Sequence, residues 1–338
     1  MVHLPPGKGF YVWQILACEN GDPGQIAAMA RIANLGHVLI KVANAHYAYN
    51  IGVGNIDLVP PVVAALEAAD VEAWGWQYVY GVNPLAEADI ALARIRQLNL
   101  KGFVVNAEVE YKQPGKRTAA VAYMSRLRSG VGNSFPIALS SYRYPSYHPE
   151  FPWREFLERV DINMPQVYWM QATNAGAQLR RTLDEFARLS PQRPIVPTGA
   201  AFAEWGWTAT TSQITEFLDT AQALKLPAVN FWSWQHARAK LQLWEAVADY
   251  AWPFPAPPVP APDPEVDMLI VKQDLNLRTG QSTTYPIITL MPAGERVELL
   301  EVGILSGGYP WLKVRVPRTG KIGWCASVIS GIPRVQVV

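Results

Sequence analysis

The 338-residue chain has two cysteines, Cys18 and Cys325, and five histidines, His3, His37, His46, His148 and His236. The cysteines fall in regions of different texture, so no disulfide framework follows. No cysteine pair stands at zinc-ligand spacing and the histidines are scattered, so no metal site is expected. Only 17% of residues are charged and the net charge is +1. With no dense Lys/Arg run, that excludes a nucleic-acid partner held by bulk electrostatics. No glycine-rich phosphate turn of dinucleotide or P-loop type occurs, and no cofactor is expected. No apolar run is long enough to cross a bilayer. Met1 to Lys8 lacks the apolar stretch of a standard signal peptide, so any action outside the producing cell needs an export route these residues do not encode.

What is present is hydrophobic and aromatic. Half the residues are hydrophobic, with 13 tryptophans and 14 tyrosines. The chain therefore folds around a core. Tryptophan fills a core poorly unless its N–H finds a partner, so many tryptophans near strand ends suggest a wet aromatic surface.

From about residue 9 to 250, apolar runs alternate with amphipathic ones. The runs predict strands at 9–16, 37–42, 71–79, 102–110, 135–142, 161–169, 194–199 and 228–234. Helices are predicted at 25–34, 59–69, 85–98, 117–128, 153–158, 176–189, 211–223 and 240–250, the first opened by Asp22-Pro23. Eight strand–helix pairs point to a (β/α)8 TIM barrel over residues 1–250. The rival, a doubly wound open sheet, should carry a glycine-rich turn after its first strand. Here that strand runs into Trp13-Gln14-Ile15-Leu16 instead.

The fourth strand holds the most informative stretch, Gly102-Phe103-Val104-Val105-Asn106-Ala107-Glu108-Val109-Glu110. Its first half suits a strand covered on both faces. Asn106, Glu108 and Glu110 then recur at period two, which places them on one side. Polar groups at the C-terminal end of a barrel strand mark the usual place for chemistry. A structural alternative has Glu108 neutralised by Lys41 or Arg143.

Residues 251–266 include Pro253, Pro255, Pro257, Pro258, Pro260, Pro262 and Pro264, the composition of a semi-rigid spacer. Residues 267–338 switch to short β-rich segments between Gly/Pro turns, which predicts a small all-β barrel. The order Leu275-Asn276-Leu277-Arg278-Thr279-Gly280, Pro292-Ala293-Gly294-Glu295, Trp311-Leu312-Lys313-Val314 and Gly323-Trp324-Cys325 resembles bacterial SH3-like domains. That resemblance implies a module attached to cell-wall enzymes, binding peptidoglycan or packing on the catalytic domain.

The fourth strand resembles the catalytic strand of chitinase-type, family 18 glycoside hydrolases, whose pattern is Asp-Gly-hydrophobe-Asp-hydrophobe-Asp-x-Glu. Gly102, Phe103, Val105 and Glu108 fit it, while Lys101, Val104 and Asn106 stand where the family has aspartates. Asn106-Ala107-Glu108 also looks like the Asp-x-Glu of lysozyme-type, family 25 hydrolases. Met164-Pro165-Gln166-Val167-Tyr168-Trp169 is similar to the sixth strand of both families. Asn230-Phe231-Trp232-Ser233-Trp234-Gln235 is similar to the strand that floors their sugar pocket. The resemblance implies a hydrolase of a cell-wall or chitin-type amino-sugar polysaccharide, peptidoglycan included, acting at the wall or outside the cell. Glu108 is then the general acid, with Glu110 and Asn106 as the other catalytic candidates. Trp13, Lys41, Trp76, Tyr142, Tyr168, Trp169, Trp232, Trp234 and Gln235 are the substrate-binding candidates.

Glycoside hydrolysis needs a proton donor to the leaving oxygen and stabilisation of an oxocarbenium-like centre. Burial among aromatics would raise Glu108 toward that task, and a Lys41 partner would defeat it. Where a substrate's acetamido group is the nucleophile, one enzyme acid suffices, and Asn106 orients that group without carrying charge. The alternative is a non-catalytic carbohydrate-binding or structural barrel.

Overall fold

The computed structural model describes residues 2–253, 268–306, 309–329 and 332–337. The chain divides into two compact units, Met1–Phe254 and Pro255–Val338. From residue 254 onward, the proline-rich spacer lies outside the described residues.

The first unit is a closed parallel barrel. Its strands are β1 (Gly7–Val12), β2 (His37–Asn44), β3 (Glu72–Val79), β4 (Gly102–Ala107), β5 (Ile137–Tyr142), β6 (Ile162–Val167), β7 (Thr198–Ala200) and β8 (Ala228–Trp232). Each pairs with its chain neighbour, and β1 pairs with both β2 and β8, which closes the ring. Helices α1 (Pro23–Ile32), α2 (Val59–Ala68), α3 (Pro84–Leu98), α4 (Lys116–Val131), α5 (Trp153–Leu157), α6 (Ala175–Phe186), α7 (Thr211–Ala223), α8 (Trp234–Arg238) and α9 (Leu241–Ala248) follow the strands. Their starts are chemically set. Asp22 accepts from the Gln25 N–H at 2.9 Å with Pro23 next, and Thr210 and Gln213 form a reciprocal capping box before α7.

Alternation along the strands builds two cores. Tyr11, Leu39, Trp74, Trp76, Val104, Ala138, Ile162, Met164, Val196 and Ala228 fill the barrel interior. The other parity, with Phe10, Val38, Phe103, Val105, Leu139 and Phe231, packs under the helices. Low in the barrel, His37 Nε2 lies 2.6 Å from Asn230 Oδ1, and its Nδ1 lies 2.8 Å from the Pro6 carbonyl. The ring crosses over Gly9, where a Cβ would lie 2.1 Å from His37 Nε2. Burial holds this histidine below its usual pKa. Lys8, of opposite parity, is fully buried and donates to the Val247, Ala248 and Tyr250 carbonyls at 2.7, 3.0 and 2.7 Å, so it caps the end of α9.

The second unit is all β: β9 (Met268–Val271), β10 (Leu275–Arg278), β11 (Ile287–Met291), β12 (Arg296–Ser306), β13 (Tyr309–Arg315), β14 (Ile322–Ala326) and β15 (Val335–Val337). They form one antiparallel sheet in the order β11-β10-β14-β13-β12-β9-β15. Leu269, Val271, Leu277, Val297, Val314 and Cys325 are in its core. Burial pushes the Cys325 thiol up to about 12, which makes it an inert filler.

Candidate active site

The C-terminal ends of β3 to β6 bring Tyr78, Asn106, Glu108, Ser140 and Gln166 together. On β4, inward parity passes from Val104 to Asn106 and on to Glu108, just past the strand. Tyr78 of β3 and Ser140 of β5 pair in register with Asn106, and Gln166 of β6 pairs with Tyr142 of β5, one inward step further along. Gln166 Nε2 lies 2.9 Å from Glu108 Oε1 and 3.0 Å from Asn106 Oδ1, with Ser140 Oγ at 3.4 Å. Asn106 Nδ2 donates to the same Glu108 Oε1 at 3.1 Å. One carboxylate oxygen therefore takes both amide donors. The other, Oε2, meets no protein donor among the described residues.

No Lys or Arg forms an ion pair with Glu108 or Glu110 among the described residues. The structural alternative, neutralisation by Lys41 or Arg143, is not what the fold makes. Burial raises the Glu108 pKa, the Gln166 and Asn106 hydrogen bonds oppose that, and the Glu110 charge adds to it. Burial raises the phenols of Tyr78, Tyr142 and Tyr168, Tyr142 up to about 12, and the Glu108 charge adds to each, so three un-ionised phenols face the acid's charge.

Glu110 is a correction. The strand ends at Ala107, and Val109–Lys112 is a turn of 3-10 helix. Glu110 therefore does not continue the strand's alternation. It still meets the barrel, because Tyr78 OH donates to its Oε2 at 2.8 Å.

The aromatic candidates separate into two groups. Trp13, Trp76 and Trp232 meet inside the mouth, with ring centroids 6.2 Å apart for Trp13–Trp232 and 5.6 Å for Trp76–Trp232. Trp76 donates its N–H to the Val12 carbonyl at 3.1 Å. Lys41 Nζ stands over Tyr49, Trp76 and Trp13, at 4.3, 4.8 and 5.9 Å from the ring centroids. Tyr142 stacks on His148 at 3.6 Å, and Tyr168 packs edge-on against Phe202 at 5.3 Å.

Trp169 and Trp234 are not in the mouth. Both are fully buried under the helices, with N–H groups on Gln213 and Glu19 at 3.2 Å each. Trp169 follows an inward residue, so it takes the outward parity, and Trp234 already belongs to α8. Gln235 is a tie: its Oε1 accepts from the Trp13 backbone N–H at 3.3 Å. Gln166, Ser140, Tyr78 and Tyr49 were not among the sequence candidates, although the Met164-Pro165-Gln166-Val167-Tyr168 alternation pointed to the first. Among the described residues no three of His, Cys, Asp and Glu converge as metal ligands, and no helix is long and apolar enough to cross a membrane.

Residues 273–329 match the bacterial SH3 domain family. They cover β10 to β14 of the second unit. The barrel is similar in structure to a family 18 N-acetylglucosaminidase from Paenibacillus barengoltzii, with a TM-score of 0.52 and 12% identity over 72% of this chain and 99% of that one. A chitinase from Bacteroides thetaiotaomicron aligns with a TM-score of 0.55 and 9% identity, over 72% of this chain and 96% of the other. An endo-1,4-beta-D-mannanase from Thermotoga petrophila gives 0.52 and 10%, covering 68% and 88%. No curated protein matches the chain. At these identities the likeness is one of fold, shared by enzymes of different substrates, and the chemistry has to be argued from the site.

Proposed function

We propose that the barrel is a glycoside hydrolase for a cell-wall or chitin-type amino-sugar polysaccharide, with Glu108 as its general acid. The observation that carries this is the asymmetry of the Glu108 carboxyl. Oε1 is fixed by two amide donors, as a carbonyl oxygen would be. Oε2 is free of protein donors and is the oxygen on which a proton sits. Burial without a cationic partner keeps that proton on at higher pH than usual, as a donor to a leaving oxygen requires. Trp13 and Trp232, both part-exposed over the buried Trp76, offer ring faces for sugars at the mouth. Asn106, anchored by Gln166, orients the acetamido group of a substrate that supplies its own nucleophile. Glu110 is the second carboxylate at the mouth. The bacterial SH3 domain match supports a wall-binding role for the second unit, and hence action at the cell wall or outside the cell.

Release of reducing ends from chitin or peptidoglycan tests the reading. Glu108→Gln should lower kcat about 10²- to 10⁴-fold while the fold persists. Undiminished turnover in that variant removes Glu108 from the mechanism. The absence of carboxylates at Lys101, Val104 and Asn106, where family 18 has aspartates, favours a second reading, a glycan-binding barrel without turnover. It expects saturable binding that is lost in Trp232→Ala and indifferent to Glu108→Gln.

A further inference from the structure

Lys41 faces into the barrel mouth and is 6% exposed, with its ammonium over the rings of Tyr49, Trp76 and Trp13. Among the described residues it makes no side-chain hydrogen bond and no ion pair. Rings attract a cation through their faces, but they accept no directed hydrogen bond comparable to a carboxylate's. A second donor beside it is in the same state: the Trp13 indole N–H is buried with no acceptor. Asn50 holds the two backbones together, donating to the Lys41 carbonyl at 2.8 Å and the Trp13 carbonyl at 3.2 Å, and accepting from the Ile15 N–H at 2.9 Å. The outcome is a corner of the cleft with two donors that meet no protein acceptor among the described residues, one of them charged. Keeping a lysine this buried without a counter-ion is costly, and burial alone lowers its pKa to about 8, which leaves it mainly cationic at neutral pH.

We propose that Lys41, with the Trp13 N–H, forms a subsite for a carboxylate on the substrate, so that the polysaccharide is an acidic one whose sugars carry a lactyl ether or a uronate group. A carboxylate supplies acceptor oxygens for both donors and the counter-charge the ring cage lacks. This rests on the hydrolase reading for the identity of the ligand as a sugar.

The test is equilibrium binding to the full chain carrying Glu108→Gln, so that ligands survive the titration. The probes are a peptidoglycan glycan fragment with lactyl carboxylates, the same fragment with its carboxyls reduced to alcohols, a uronate oligosaccharide, and a neutral chito-oligosaccharide. One of the acidic glycans should bind about ten- to a hundredfold tighter than its neutral counterpart. Lys41→Met should abolish that preference, weakening the acidic glycans more than the neutral ones, and Lys41→Arg should keep most of it. Whether lactyl or uronate sugar is preferred identifies the source of the carboxylate. Equal binding of acidic and reduced glycans overturns the subsite, as does a Lys41→Met loss that falls equally on neutral ligands. Reducing-end release by the unmutated chain is read separately. Turnover without carboxylate preference sinks the subsite alone, carboxylate-selective binding without turnover sinks the hydrolase reading alone, and no binding of any sugar sinks both.

Discussion

Gln166→Leu isolates the hydrogen bond that tunes the proposed acid. Gln166 Nε2 is 2.9 Å from Glu108 Oε1, and this bond favours the ionised carboxylate against burial. Leucine removes the donor at similar volume and leaves Asn106 as the one remaining amide on that oxygen. A hydrogen bond to a charged group contributes about 1.5–3 kcal/mol, so the alkaline limb of kcat/KM should move up by about 1–2 pH units. The sign follows from linkage. Glu108 is raised in the fold, so its stabilising contribution is complete below the ordinary carboxylate pKa. It is lost as pH rises through the folded value. Gln166→Leu extends that window upward, and above it the variant should be less stable than the parent. Reducing-end assays from acid to alkaline pH, with denaturant melts at the same values, read both effects. An alkaline limb that stays put or moves down refutes the assignment of Glu108 as the titrating acid.

Two further substitutions probe the scaffold that presents the site. Gly9→Ala drives a Cβ into the His37 ring and breaks its bond with Asn230, so overpacking plus an orphaned buried pair should cost about 2–5 kcal/mol in denaturant unfolding; a wild-type midpoint would show that the barrel floor relaxes freely. Glu87→Gln changes a buried carboxylate that accepts from the Tyr80, Gly81, Val82 and Asn83 N–H groups at 2.9 to 3.3 Å. An amide presents N–H groups to N–H groups there. We expect a loss of about 2–4 kcal/mol in melts and faster hydrogen exchange over residues 80–83, and an unchanged exchange pattern would contradict it.

The barrel was legible because strand parity is written in residue type. Inward Tyr11, Leu39, Trp76 and Val104 alternate with outward Phe10, Val38, Val105 and Phe103, and each run is followed by a helical one. The second unit was legible from its turns, and β10, β13 and β14 carry the Leu275–Arg278, Trp311–Val314 and Gly323–Cys325 stretches that resemble SH3-like domains. What misled was period two continued past the end of a strand. After Glu108 the chain turns into a 3-10 helix, yet Val109, Glu110 and Tyr111 keep an alternating look; Tyr111 actually packs under the helices against Phe151 and Phe156. Trp234 departs from Trp232 in the same way, since α8 begins at Trp234 and carries it away from the mouth. The role of Lys8 and the partners of the candidate Lys41 were illegible for another reason. Lys8 caps carbonyls 239 to 242 residues away, and Lys41 sits in a ring cage that joins nearby Tyr49 to Trp13 and Trp76 from other segments.

Asn106 is where the two readings of the barrel part. An aspartate there would place a second charge beside Glu108 and compete for the Gln166 amide. The asparagine instead passes a hydrogen bond along, accepting from Gln166 at 3.0 Å and donating to Glu108 at 3.1 Å. That donation lowers the Glu108 pKa, so burial, with the Glu110 charge adding to it, is what raises the acid, and residue 106 contributes no like charge. Proton donation survives this exchange of causes. Electrostatic support for a developing positive centre does not, because an amide carries no charge. On the hydrolase reading that support has to come from Glu110, whose Oε2 is hydrogen-bonded to Tyr78 at 2.8 Å from outside the strand. Aspartates at 101 and 104 would not have served it, since Lys101 lies at the N-terminal edge of β4 in an ion pair with Glu67, and Val104 is fully buried in the barrel interior.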